Sequence, residues 1–329
     1  MENNKNILPI ANPVLLLPPG NKISKTLLVF NGVMLGMIVV MVFAIYGVLH
    51  KPIGNKVISQ KKKIVTNEIF SKLPIQAKSV YVYDVLKNEV IYKKNETAQM
   101  PLASLTKLMT ALTAVELVPK DSHIIVRKEF LREEGDTGLL SGESWKLKDL
   151  LDFSLLVSSN DGARSVASVV GALNLKTEDF NLGRKDFILK MNETAKKLGL
   201  KQTYFINESG LDDESISGGY GSAENIAKLV QHILAEKPEL LEATRYESRD
   251  INSLSKTHPA KNTNINVEKI PGLIASKTGY TALAGGNLVV AFDASIGRPI
   301  IAVVLGSTLE GRFKDVQQLV NASFKYISE

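Results

Sequence analysis

The sequence predicts an α/β protein of the α+β kind over residues 68–329: an antiparallel sheet flanked by helices, with a helical subdomain. Three observations predict it. "SVYVYDVLKNEVIYKKN" (79–95) alternates apolar and polar positions around Lys87-Asn88, the pattern of a hairpin. "NLVVAFDA" (287–294) and "PIIAVVLGS" (299–307) form a second hairpin across "SIGR". Mainly helical patterns lie between the two. Strands near both ends of the body imply one sheet that its two ends complete together.

The elements follow in order. Residues 1–26 form a short N-terminal tail. Residues 27–49, "LLVFNGVMLGMIVVMVFAIYGVL", are 23 positions whose one strongly polar residue is Asn31. At about 1.5 Å per residue this run spans a hydrocarbon layer of about 30 Å. It exceeds a signal-peptide core, and no clear small-x-small site follows, so an uncleaved transmembrane signal anchor is the expectation. Residues 50–67 read as a basic linker. Helical periodicity then marks 104–118, 147–157 and onward through 171, 185–198, 222–235 and about 312–327. In the first of these, Leu105, Leu108, Met109 and Leu112 are the expected packing face.

Charge and composition narrow the function. The net charge is +6, but residues 1–63 hold eight lysines against Glu2 alone, leaving 32 basic and 33 acidic side chains in the rest. The basicity belongs to the N-terminal flank, so nucleic-acid binding is not expected. The chain has no cysteine, which excludes a disulfide framework and thiolate chemistry. Its four histidines (50, 123, 232, 258) are scattered, so neither a catalytic metal nor any other cofactor is expected.

Three short motifs carry the chemistry. Ser104-Leu105-Thr106-Lys107 opens a helix, Ser158-Ser159-Asn160 ends one, and Lys277-Thr278-Gly279 precedes the C-terminal hairpin. Taken singly each has a bland reading: a helix N-cap, a helix-ending turn, a turn entering a strand. Ser-x-x-Lys also occurs at Ser59/Lys62 and Ser253/Lys256, whereas the other two motifs occur once each. Positions i and i+3 share a helix face, so Lys107 can reach the Ser104 hydroxyl. A serine needs such a base to become a nucleophile, and the lysine must then titrate well below about 10.4. Burial and a nearby Lys277 would both lower it.

The set, in this order, is the signature of penicillin-binding proteins and class A β-lactamases. The chain further resembles the serine-type D-alanyl-D-alanine carboxypeptidases, the low-molecular-mass penicillin-binding proteins. The resemblance runs through "PLASLTKLMTAL", "LKDLLDFSLLVSSNDGA", "MNETAKKLGLKQTYFINESGLDD", "GLIASKTGYTALAGGNLVV" and "IIAVVLGS", and covers roughly residues 68–329. It implies a β-lactamase/transpeptidase-like fold with Ser104 as acyl-enzyme nucleophile, Lys107 as proton acceptor and Ser158 as third catalytic residue. Asn160, Lys277, Thr278, Gly279, Tyr280 and Arg312 are implied as substrate-binding residues. Gly279 would keep the strand edge clear for substrate, the backbone N–H groups of Ser104 and Tyr280 would hold the oxyanion, and Thr278 and Arg312 would hold the substrate carboxylate. Thr263 stands where some relatives carry a basic residue.

The implied reaction removes the terminal D-Ala from peptidoglycan stem peptides, with β-lactams as covalent inhibitors. A peptidoglycan endopeptidase is the closer alternative; a class A β-lactamase, with Glu193 or Glu208 activating water, is the more distant one. The implied substrate lies outside the cytoplasmic membrane, so a single-pass bacterial membrane protein with an extracytoplasmic body is expected. The lysines at 51–63 favour the opposite orientation by the positive-inside rule, although long domains translocate despite such charge.

Overall fold

Leu288–Phe292 and Ile300–Leu305 are buried along their whole length, as strands covered on both faces of a sheet must be. In the computed structural model, which describes residues 34–43, 45–46 and 68–329, they lie in a five-stranded antiparallel sheet. The chain divides into two units, Met1–Lys61 and Lys62–Glu329. In the first, the described residues 34–43 and 45–46 are helical and exposed. The rest of the expected span 27–49, and the tail and linker on either side of it, lie outside the described residues. No helix among the described residues is long and apolar enough to cross a membrane.

The second unit contains β1 (Ser79–Asp84), β2 (Glu89–Lys94), β3 (Met100–Pro101), α1 (Thr106–Leu117), β4 (His123–Ile125) and β5 (Ser144–Lys146). It continues with α2 (Leu147–Leu156), α3 (Asn160–Leu175), α4 (Phe180–Lys197), β6 (Tyr204–Phe205), β7 (Gly219–Gly221) and α5 (Ala223–Glu236). The hairpin β8 (Ser248–Asn252)–β9 (Thr257–Lys261) follows, then β10 (Leu273–Thr281), β11 (Gly285–Asp293), β12 (Pro299–Ser307) and α6 (Gly311–Ser328). The main sheet runs β10-β11-β12-β1-β2, so the N-terminal hairpin is added to the C-terminal one through β1–β12 pairing, Val82 opposite Ala302. Two buried carboxylates fasten this join. Asp84 pairs with Arg298 at 2.7 Å, and Asp315 accepts the Gln76 and Ala77 N–H groups at 2.9 and 2.8 Å.

Side chains alternate across the sheet with period two. Val80, Val82, Leu288, Val290, Phe292, Ile300, Ala302 and Val304 pack under α6 with Phe313, Val316, Leu319 and Val320. Tyr81, Tyr83, Val289, Ala291, Ile301, Val303 and Leu305 face the opposite way, into a core shared with helices α1–α5. The expected packing face of α1 lies wholly in that core: Leu105, Leu108, Met109 and Leu112 are each no more than 1% exposed. Helices α3 and α4 touch backbone to backbone; a Cβ at Gly171 would fall 1.9 Å from the Gly183 carbonyl oxygen.

Two helix starts differ from expectation. The first helix is preceded by a 3₁₀ turn at Ala103–Leu105, because Ala103 takes a positive φ of 48° that no α-helix contains. The helix end expected at Ser158-Ser159-Asn160 is present: α2 stops at Leu156, Ser158 takes φ 62°, and a new helix starts with Ser159 as N-cap. Helix α4 starts at Phe180 rather than 185, because Asp179 accepts the Asn181 and Leu182 N–H groups. The strand carrying Lys277 extends over nine residues and forms an edge of the main sheet.

Candidate active site

All three motifs converge beside the β10 edge, and each is held by a different local device. Ser104 lies in the 3₁₀ turn entering α1 and makes no cap bond; the residue at the N-cap of α1 is Leu105, also without a side-chain cap. Its hydroxyl instead accepts from the Lys107 ammonium at 3.0 Å. In the second motif the roles are divided. Ser159 is the structural member, its hydroxyl accepting the Gly162 N–H at 3.0 Å to cap α3. Ser158 and Asn160 on either side reach the two lysines: Ser158 Oγ accepts from Lys277 Nζ at 2.9 Å, and Asn160 Oδ1 from Lys107 Nζ at 2.6 Å. Left-handed backbone at Ala103 and Ser158 costs about 1–3 kcal/mol each, and both residues adjoin the site.

Lys107 is the centre of the electrostatics. It is 2% exposed, and burial lowers its pKa to about 7, against the smaller opposing pull of Glu208 and Glu133. Its third contact is the Ser209 carbonyl at 2.8 Å. That carbonyl and the Asn160 Oδ1 can only accept, and Asn160 is oriented by donating its Nδ2–H to Glu134 O at 2.7 Å. The neutral amine therefore spends two N–H bonds on them. Its lone pair is left to the one neighbour able to donate, the Ser104 hydroxyl. A serine placed against the free pair of a neutral amine is an activated nucleophile.

Lys277 is equally buried, and its pKa lies well below the ordinary lysine value, first by burial and then by repulsion from Lys107 and Arg312. The repulsion between the two lysines is mutual, each disfavouring the proton on the other, and burial is the larger cause at both.

The remaining expected residues are all present at the site. Thr278 is buried, with its hydroxyl 2.6 Å from that of Thr263. Tyr280 lies on β10 opposite Gly286 with its ring half exposed. A Cβ on Gly279 would stand 2.9 Å from Leu102 O and 3.2 Å from Ser104 N. Its bare backbone lets β10 approach the Ser104 turn. Arg312 is 7% exposed; its Nη1 donates to Gly279 O at 2.7 Å and its guanidinium lies over Phe313. Burial lowers its pKa to about 10. Arg312 is therefore buried, and braces the strand that carries Lys277 and Thr278.

A family model described as D-alanyl-D-alanine carboxypeptidase (Peptidase_S11) matches residues 66–308. The chain belongs to the D-alanyl-D-alanine carboxypeptidase family. It is 28% identical to the D-alanyl-D-alanine carboxypeptidase DacF of Bacillus subtilis over 77% of this chain, spanning 64% of that protein's length. To the D-alanyl-D-alanine endopeptidase of Haemophilus influenzae it is 31% identical, over 65% of this chain and 69% of the other. Among solved structures, the ampicillin-bound Penicillin-Binding Protein D2 of Listeria monocytogenes is 29% identical with a TM-score of 0.66, covering 77% of this chain and 99% of that one.

Within this family member the two glutamates weighed for a β-lactamase mechanism are both otherwise engaged. Glu193 is turned to solvent on α4 and paired with Lys190 at 2.8 Å. Glu208 is buried and receives the Arg184 Nε–H on both oxygens, at 2.9 and 3.0 Å. Sequence reasoning missed the Ser209 and Glu134 carbonyls, which act through backbone and have no residue-type signal. The turn presenting Ser209 is legible afterwards: Asn207 Oδ1 accepts the Gly210 N–H at 2.7 Å, an Asx turn closed by a glycine at φ 80°.

Proposed function

We propose that this chain is a D-alanyl-D-alanine carboxypeptidase that releases the terminal D-Ala of peptidoglycan stem peptides through an acyl-enzyme on Ser104. The observation that carries the reading is the buried Lys107, titrating at about 7 with its lone pair left to Ser104. As Ser104 Oγ attacks the penultimate D-Ala carbonyl, its proton passes to Lys107 Nζ. The Ser104 and Tyr280 N–H groups receive the oxyanion. Collapse breaks the peptide C–N bond: Ser158, held by Lys277, gives its proton to the leaving amine and takes back the one that Lys107 accepted, so that both residues end as they began. Water then cleaves the ester and restores Ser104. Asn160 holds the substrate backbone, while Thr278, with Lys277 and Arg312 behind it, receives the terminal carboxylate. β-Lactams would acylate the same serine, a reading supported by the ampicillin-bound Listeria structure.

The likeness to an endopeptidase favours a second reading, cleavage of D-Ala-containing cross-links. Product analysis with the full-length chain separates the two. Release of D-alanine from a pentapeptide with cross-linked muropeptides left intact is the expected result; cleaved dimers with an uncut pentapeptide would overturn it.

We further propose a single-pass anchor at residues 27–49 in the bacterial cytoplasmic membrane, the linker 50–67, and a peptidase domain at 68–329 facing outward. The long apolar run, with Asn31 as its one strongly polar residue, and the external location of the substrate support this placement. Protease added to intact spheroplasts should degrade the body, and a body left untouched would refute it.

A further inference from the structure

Thr263 lies where two parts of the site meet. Its backbone N–H donates to Leu156 O at 3.2 Å, at the end of α2 and two residues before Ser158. Its hydroxyl is 2.6 Å from the Thr278 hydroxyl on β10, and among the described residues Thr278 Oγ1 has no other hydrogen-bond partner. The backbone around it is held by a ladder of buried asparagines. Asn262 donates to Thr244 O and Tyr246 O at 2.9 and 3.0 Å. Its Oδ1 accepts the Asn264 N–H at 2.8 Å, and Asn264 Oδ1 in turn accepts the Asn266 N–H at 3.1 Å. Asn262, Asn264 and Asn266 point inward, which leaves Thr263 half-buried and facing β10.

The neighbouring cations are committed to the protein. Lys277 donates to Ser158 Oγ and to Thr278 O, and Arg312 donates to Gly279 O. We infer that Thr263 is a positioning residue that aims the Thr278 hydroxyl proton at the terminal carboxylate of the substrate, and so sets affinity for that end of the peptide. The inference rests on the carboxypeptidase reading above. A carboxylate only accepts, so Thr278 must donate to it. The Thr278 oxygen is then free to accept, and Thr263 is the donor that faces it. A donated bond at that oxygen polarises the O–H toward the substrate. Without it the hydroxyl is a free rotor.

Thr263→Val keeps the shape of the side chain and removes the donor. In the full-length chain, KM for a pentapeptide ending in D-Ala-D-Ala should rise about tenfold, the scale of one hydrogen bond to a charged group. The kcat should hold, because Ser104 and Lys107 are not touched. Thr263→Ala should match Thr263→Val, and Thr263→Ser should restore the wild-type KM. A pentapeptide ending in a carboxamide, which can donate as well as accept, should be penalised less by Thr263→Val than the free acid. An unchanged KM in both hydroxyl-free variants overturns the inference, as does a fall in kcat at constant KM or no rescue by serine. Wild-type chain that releases no D-alanine from the pentapeptide would instead overturn the carboxypeptidase reading, and this inference with it.

Discussion

Ser104→Ala is expected to abolish covalent labelling of the full-length chain by a fluorescent penicillin and leave its thermal midpoint essentially unchanged. In the proposed mechanism the oxygen removed is the one that carries the acyl group, so the loss should be complete. The fold should not notice. Ser104 caps no helix, and the packing of its turn comes from Ala103 and Leu105, both fully buried. Lys107 keeps the Asn160 and Ser209 acceptors. Labelling that persists in this variant would show the nucleophile to be another residue. Labelling lost together with an early thermal transition would assign Ser104 a structural role instead.

Lys107→Arg should lower the acylation rate by about 10²–10⁴, the usual worth of a general base. Arginine keeps hydrogen-bond donors but never gives up its proton in a protein, so the variant cannot accept one. The same assignment predicts a pH profile. The reactive form of Lys107 is the neutral amine, present above its pKa, so wild-type acylation should rise with pH through about 7 and then level off. An ordinary lysine would place that rise near about 10.4. Stopped-flow labelling across this range decides between them. Activity that falls as pH rises through 7, or an arginine variant that acylates at the wild-type rate, would remove Lys107 from the role.

How much of this was legible follows from where the information sits. The two hairpins, the packing face of α1 and the order of the three motifs depend on periodicity and residue type, which a sequence displays directly. The edge position of β10 was also readable, since a cation and hydroxyl serving a substrate need an open strand. The helix end at Ser158 was readable too, but not the division of labour there, in which Ser159 caps a new helix while its neighbours turn to separate lysines. Gly279 and Arg312 were placed at the site from sequence, and the packing adds what sequence does not display: a close approach to Ser104 N, and a bond to the strand's own carbonyl.

The sequence by itself determined which residues form the site, because a nucleophile, a base and a carboxylate binder each require particular side chains in a particular order. Tertiary structure alone decided how they act. The depression of Lys107 to about 7 comes from burial, and the aim of its lone pair comes from two carbonyl acceptors on distant segments. The Thr263–Thr278 pair likewise exists only because α2, the asparagine ladder and β10 meet in space. A pKa and a hydrogen-bond direction belong to an environment, and only the folded chain supplies one.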